Sequence, residues 1–323
     1  MPLLLTEADV RAILTMPLAL ETVETSFRRL GDETAVSHPR RRLLIPGKAI
    51  LNYMAASDAA GGYLGLKIYS IARGAARFVI PLFRAETGEV AALIEADYLG
   101  QMRTGAASGV AAKVMAREDA RAVGIIGTGL QARTQLEAVA HARKLERIRA
   151  FGRDAQRRER FAKEMSERLG VPVAPVSSAE EAVRHADIVI TSTTSKTPVV
   201  DGRWIEPGMH ISAIGSNFAE KREIDTETVA RCDVIAADSV EQSKIESGDL
   251  IQAFAGDESR WAGVREFADI VAGKVPGRTS PNQVTLFKSN GIAIEDIVTA
   301  GRVYELARQR GIGREIPMWQ GEV

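Results

Sequence analysis

The run Ala122-Val123-Gly124-Ile125-Ile126-Gly127-Thr128-Gly129-Leu130-Gln131-Ala132 constrains the fold more than any other segment of the chain. It reads as a short apolar strand, a glycine turn and the first turn of a helix. Gly127 and Gly129 fill the first two positions of a G-x-G-x-x-G/A pattern, with Ala132 in the third. Backbone amides at such a turn, backed by a helix N-terminus, bind a dinucleotide pyrophosphate. The flanks agree with this. Gln131 to Ala142 continues with helix formers, and Arg147-Ile148-Arg149-Ala150-Phe151 supplies a second strand. Strand, turn, helix and strand form the context that gives the pattern meaning.

The rhythm around this unit divides the chain. After Ala120, short apolar strands (Val171–Val173, Asp187–Thr191, His210–Ile214, Asp233–Ala237 and Val284–Phe287) alternate with helical stretches such as Asp154–Leu169 and Ala179–His185. That alternation predicts a doubly wound parallel sheet. The first part differs. One helix is expected over Thr6–Leu30, followed by extended segments at Arg42–Ile45, Ile50–Ala55, Tyr63–Ile71, Arg77–Arg84 and Glu89–Glu95, with turns between them, and then an alanine-rich helix over Thr104–Arg117. This is an α+β block. A last helix from Ile292 to Arg310 is long enough to return to it. The expected fold class is therefore α/β: a doubly wound parallel sheet plus an α+β domain.

Composition removes several function classes. The 323 residues carry a formal net charge of zero, which argues against nucleic acid or a membrane surface as the main partner. No apolar run approaches the 18 or so residues of a membrane span. Met1-Pro2-Leu3-Leu4-Leu5 is too short and lacks the basic start of a signal peptide, so the cytoplasm is the expected location. The single cysteine, Cys232, forms no intrachain disulfide. No metal is expected, because His38, His141, His185 and His210 show no paired ligand spacing.

Two sets of basic residues carry candidate chemistry. At the tip of the second strand, Gly152-Arg153-Asp154 offers an arginine where an NAD site places a carboxylate for the ribose 2′-hydroxyl. With Arg157 and Arg158 close behind, Arg153 suits a 2′-phosphate and predicts a preference for NADP(H), with NAD(H) also accepted. The alternative is a solvated helix face capped by Asp154. In the first block, Lys67 stands in an otherwise apolar strand, Arg41 enters a strand and Arg103 precedes a helix. A buried lysine has a lowered pKa and serves as a proton donor. Arginines hold a substrate carboxylate in bidentate fashion. The alternative here is a snorkelling lysine with scattered surface arginines.

Motifs along nearly the whole chain occur in a set order: Gly65-Leu66-Lys67, Arg103-Thr104-Gly105-Ala106-Ala107, the glycine turn, Gly215-Ser216-Asn217 with Arg222-Glu223-Ile224-Asp225, Ser247-Gly248-Asp249, and Phe287-Lys288-Ser289-Asn290-Gly291-Ile292-Ala293-Ile294-Glu295-Asp296. Together they resemble the ornithine cyclodeaminase/mu-crystallin family. The resemblance implies a Rossmann NAD(P)-binding domain over 119–299. It also implies a substrate-binding and dimerisation domain built from both chain ends, 1–118 with 300–323, pairing in a homodimer. By the same resemblance Lys67 and Arg103 contact the substrate carboxylate or reacting centre, with Arg41 as a further carboxylate ligand to which Arg40 and Arg42 are adjacent alternatives. Arg103, Thr104, Gly127, Thr128, Gly129, Leu130, Gln131, Arg153 and Thr193 are the expected cofactor-binding positions.

One departure bears on subtype. Cyclodeaminases of the family carry an aspartate where this chain has Asn217. An amide cannot serve as a general base at neutral pH, though it can orient a substrate nitrogen. Ketimine reductases resembling mu-crystallin also lack the aspartate, carry a Phe-Lys-Ser run and have an arginine at the second strand tip. The expected activity is thus reduction of a 2-imino acid or cyclic ketimine carboxylate, with keto acids and amines among the small-molecule partners. Ornithine cyclodeamination and cofactor-loaded ligand binding are the alternatives.

Overall fold

A computed structural model describes residues 1–318. The chain forms two compact units. One comprises Met1–Arg103 and the segment from Ile292 onward, and the other Thr104–Gly291. The resemblance implies divisions at 118/119 and 299/300. The first division instead falls within a continuous helix, Asp97–Met115, so the change in sequence rhythm follows it.

The unit built from both chain ends contains β1 (Leu3–Leu5), α1 (Glu7–Ile13), α2 (Met16–Gly31), β2 (Ala35–Ser37), β3 (Arg41–Ile45), β4 (Ala49–Asp58), β5 (Tyr63–Ala72), β6 (Ala75–Arg84), β7 (Val90–Glu95) and the start of α3 (Asp97–Met115). The single opening helix expected from the sequence is two. Leu14 is extended and Pro17 falls in the first turn of α2, the one place in a helix where its missing N–H costs nothing. The strands pair antiparallel from β4 through β7, while β1 joins β7 in parallel. The last helix, Ala293–Arg310, packs on α2, β4 and β5 of this unit. Thr299 Oγ1 meets Thr22 Oγ1 at 2.9 Å. Gly301 admits the Tyr63 ring, which would lie 2.8 Å from a Cβ there.

The other unit holds β8 (Ala122–Ile126), α4 (Leu130–Ala142), β9 (Arg147–Phe151), α5 (Ala155–Leu169), β10 (Val173–Pro175), β11 (Ile188–Thr191), β12 (His210–Ala213), β13 (Val234–Ala237), β14 (Val264–Glu266) and β15 (Thr285–Lys288). Every strand pair is parallel, in the order β10-β9-β8-β11-β12-β15-β13-β14. Both faces of the sheet are covered, as a parallel sheet requires. Val123, Ile125, Ile188 and Ile190 enter one apolar cluster, while Ile126, Val189 and Ile211 enter the other. The order reverses between β8 and β11, and such a switch point opens a crevice at the strands' carboxyl ends. His210 is buried on β12 against Thr285 Oγ1 (2.9 Å) and Ser212 Oγ (3.2 Å). Burial pushes its pKa down to about 3, so it is a neutral structural residue at neutral pH. Among the described residues, no helix is long and apolar enough to cross a membrane.

Candidate active site

The glycine turn follows β8 at the switch point. Gly127 has φ +112°, and a Cβ there would lie 2.2 Å from Ser192 O, so the position admits only glycine. Gly129 differs. It is the N-cap of α4 with φ −86°, and a Cβ there would meet no protein atom within 4 Å. Open space in front of a helix N-terminus is what a pyrophosphate needs for close backbone approach. Gly129 and Leu130 are exposed, Thr128 and Gln131 half-buried, and Gln131 Oε1 is a buried acceptor without a hydrogen-bond partner among the described residues. Arg133 staples the turn from behind, donating to Gly129 O (2.9 Å) while paired with Glu164 (2.6 Å). The geometry fits a dinucleotide.

At the tip of β9, Arg153 is exposed. Asp154 is occupied as the N-cap of α5, accepting from Arg157 N at 2.9 Å. Arg158 donates to Gly152 O at 2.7 Å. Capping and a basic tip, offered by the sequence as alternatives, coexist. Thr104 O accepts from Gln135 Nε2 on α4 (2.9 Å), and Thr193 N donates to Glu223 (2.5 Å). Asn217 is half-buried in the loop after β12.

In the unit built from the chain ends, Lys67 on β5 is 2% exposed. Its ammonium donates to Asp296 Oδ1 (2.8 Å) and lies 5.2 Å from the centroid of the Phe78 ring. The missing side chain of Gly100 leaves it room, since a Cβ there would come within 3.3 Å of Nζ. Arg103 donates Nε to the same Asp296 oxygen (3.1 Å) and a terminal nitrogen to Glu295 Oε2 (2.8 Å). Asp296 Oδ2 is buried with no hydrogen-bond partner among the described residues. Burial, then the Arg103 charge, lower the Lys67 pKa to about 8, against the opposing pull of Asp296. Arg40 adds to the lowering and is buried, whereas Arg41 is exposed on β3. Of the three successive arginines, Arg40 is the one whose charge bears on Lys67. It sits just before β3, while Arg41 opens the strand with its side chain in solvent. Lys67, Arg103 and Arg40 against Glu295 and Asp296 leave one formal positive charge.

The sequence singles out Lys67 and Arg103 directly, whereas their carboxylate partners, Glu295 and Asp296, could touch the site but read first as the start of the last helix. Glu295 and Asp296 open a helix, where acidic residues ordinarily serve the helix dipole. Glu295 does take that role, accepting from Ile292 N at 3.4 Å, and pairs with Arg103 as well. The signal that could have found them is a helix whose opening acidic pair is followed by a run of small and apolar residues, Ile297-Val298-Thr299-Ala300-Gly301.

The two glycines give separable outcomes. Gly129→Ala is expected to fold with an unchanged melting temperature and to weaken NADPH binding, measured by fluorescence, at least about tenfold by filling the pyrophosphate approach. Gly127→Ala is expected to destabilise the chain outright, since the strained backbone alone costs roughly 1–3 kcal/mol. Wild-type dinucleotide affinity in Gly129→Ala would contradict the assignment of the cradle.

Known proteins share the overall fold. The chain superposes on Thermococcus litoralis Δ1-pyrroline-2-carboxylate reductase in complex with NADH and L-proline with a TM-score of 0.92, at 36% identity, over 97% of this chain and 100% of that one. The iminosuccinate reductase of Paracoccus denitrificans in complex with NAD+ gives a TM-score of 0.92 at 28% identity, over 98% and 99% of the two chains. An archaeal alanine dehydrogenase dimer with bound NAD gives 0.91 at 31% identity, over 98% and 100%. A model of the ornithine cyclodeaminase/mu-crystallin family matches residues 1–311, and the chain belongs to that family.

Proposed function

We propose that the chain is a nicotinamide-dependent reductase of imino acids, converting a cyclic ketimine carboxylate such as Δ1-pyrroline-2-carboxylate, or a 2-imino acid, to the amino acid. The observation that carries this reading is the buried Lys67 ammonium, set among Arg40, Arg103 and Asp296 with a pKa lowered to about 8. An ammonium of that acidity is matched to protonating an imine nitrogen near neutral pH. Arg103 and Arg40 supply the charge that draws the substrate carboxylate, and orientation of this kind lowers the barrier of a two-reactant step. Asp296 fixes Lys67 and keeps it charged. When bound at the glycine turn, the dihydronicotinamide supplies the hydride. The names of the relatives support the substrate class, and Asn217 argues against the cyclodeaminase alternative because an amide is no general base.

We further propose a preference for NADP(H) over NAD(H). The carboxylate at the tip of β9 is committed to capping α5, which leaves Arg153 to meet the ribose substituent. The similar structures hold NADH or NAD+, so the preference rests on Arg153. Exposed apolar residues on β3 and β4, including Leu43, Leu44, Ile45 and Leu51, support pairing with a second copy, in keeping with the dimeric alanine dehydrogenase.

Two measurements test these readings. With NADPH and Δ1-pyrroline-2-carboxylate, kcat/KM for reduction should be level at neutral pH and fall above about pH 8, as Lys67 loses its proton. Asp296→Asn removes the interaction that raises this pKa, so the fall should begin about one unit or more lower. Lys67→Met should lower kcat at least about 100-fold with cofactor affinity unchanged. No turnover of any imino acid by a chain that binds the cofactor would contradict the reading. Arg153→Ala should raise the KM for NADPH about tenfold, the loss of one charge-assisted contact, and that for NADH less than about twofold. Equal effects on both cofactors would refute the preference.

A further inference from the structure

Three buried charged side chains in the parallel-sheet unit have no part in the scheme above. Glu223 and Asp249 are fully buried, and so is Lys288 at the end of β15. Glu223 bridges the ends of two neighbouring strands. Its Oε2 accepts from Thr191 Oγ1 at the end of β11 (2.8 Å) and from Gly215 N just beyond β12 (2.7 Å). Its Oε1 accepts from Thr193 N (2.5 Å). Gly215 can carry no side chain here, since a Cβ would lie 2.4 Å from Glu223 Oε1 and 2.5 Å from Thr193 N. The carboxylate is held from behind. Asp249 Oδ1 accepts from Glu223 N (2.6 Å) and Ile224 N (3.1 Å). The other oxygen of Asp249 pairs with Lys288 Nζ at 2.9 Å. Lys288 then donates to Ser216 O at 2.8 Å, closing a ring one residue before Asn217.

Two carboxylates against one ammonium are a costly thing to bury, and an apolar filling of the same volume would stabilise the fold at least as well. What apolar residues cannot do is fix two loops by their backbone N–H groups. Both loops leave the carboxyl ends of β11 and β12, on the opposite side of the switch point from the tip of β9. With the adenosine ribose read at the tip of β9, a dinucleotide crossing the switch point places its nicotinamide half over β11 and β12.

We propose that Glu223, braced by Asp249 and Lys288, is a positioning residue for the nicotinamide half of the cofactor, setting the backbone of the loops that carry Thr193 and Asn217. This rests on the reading that a dinucleotide binds at the carboxyl edge of this sheet. Glu223 touches neither cofactor nor substrate and acts through the two loops. Burial, and then the Asp249 charge, raise the Glu223 pKa, against the opposing pull of Lys288 and of the Thr193 and Thr191 donors.

The test compares Glu223→Gln, which sets an amide donor against backbone donors, with Thr191→Val, which removes a single hydroxyl and leaves the carboxylate. The probes are NADPH and NADH, and the same molecules without the nicotinamide ring, namely ADP-ribose and its 2′-phosphate. For Glu223→Gln, ring-less probe affinity should stay within about twofold of wild type, while dinucleotide affinity and kcat each fall about tenfold or more. The substrate KM should be unchanged. Thr191→Val should shift the same quantities in the same direction by about two- to fivefold, which decides the matter if the glutamine variant does not fold. Loss of ring-less and complete dinucleotide in equal measure, or wild-type kcat in either folded variant, would overturn the proposal. Failure of the wild-type chain to bind any of the four probes would instead bring down the cofactor reading on which it rests.

Discussion

A single carboxylate oxygen, Asp296 Oδ1, ties the unit built from the two chain ends. It accepts from Lys67 on β5 and Arg103 on α3, partners 229 and 193 positions away. Without it Lys67 and Arg103 would lose the carboxylate they share, and removing one partner of such a cluster costs roughly 3–5 kcal/mol. The last helix therefore has an electrostatic as well as an apolar reason to return to the first hundred residues. The burial of almost every position from Ala293 to Tyr304 supplies the apolar part. The same oxygen decides chemistry. It raises a lysine pKa that desolvation and two arginines push down, leaving an ammonium that holds its proton at neutral pH and can still release it.

The parallel-sheet unit follows a different logic, in which backbone does most of the binding. Gly127 turns the chain where no side chain fits, and Gly129 leaves the N-terminus of α4 open. Arg133 spends its charge on Glu164 and on carbonyls of the turn, so it holds the cradle without adding a cation to its mouth. On the other side of the switch point, Glu223 performs the corresponding service for the ends of β11 and β12. In both places a buried or half-buried charge is bonded to main chain, which fixes loops to within a hydrogen bond's tolerance.

Much of this was legible in the sequence, for identifiable reasons. Local patterns announced β8, the turn, α4 and β9, because a glycine pair between an apolar strand and a helix has few other uses. Lys67 stood out as a cation in an apolar strand, and Arg103 came into view beside it. Partners distant in sequence did not. Glu295 and Asp296 looked like ordinary helix-opening acids, and Glu223 sat in a polar stretch with nothing to mark it as buried. Three successive arginines, Arg40 to Arg42, could not be separated by pattern alone. In the structure Arg40 is buried just before β3, and Arg41 is exposed at its start. The insertion of β15 between β12 and β13 was equally hidden, since strand order depends on tertiary pairing.

The central claim is that this family member spends its cofactor on an imine, whereas a cyclodeaminase regenerates it within each turnover. Isotope transfer tests this most directly. NADPH deuterated at the transferred C4 position is incubated with Δ1-pyrroline-2-carboxylate, and the product is analysed by mass spectrometry and NMR. The account predicts proline with one deuterium at C2 and one NADP+ formed per proline. Unlabelled product, or an untouched cofactor pool while ornithine yields proline and ammonia, would contradict it.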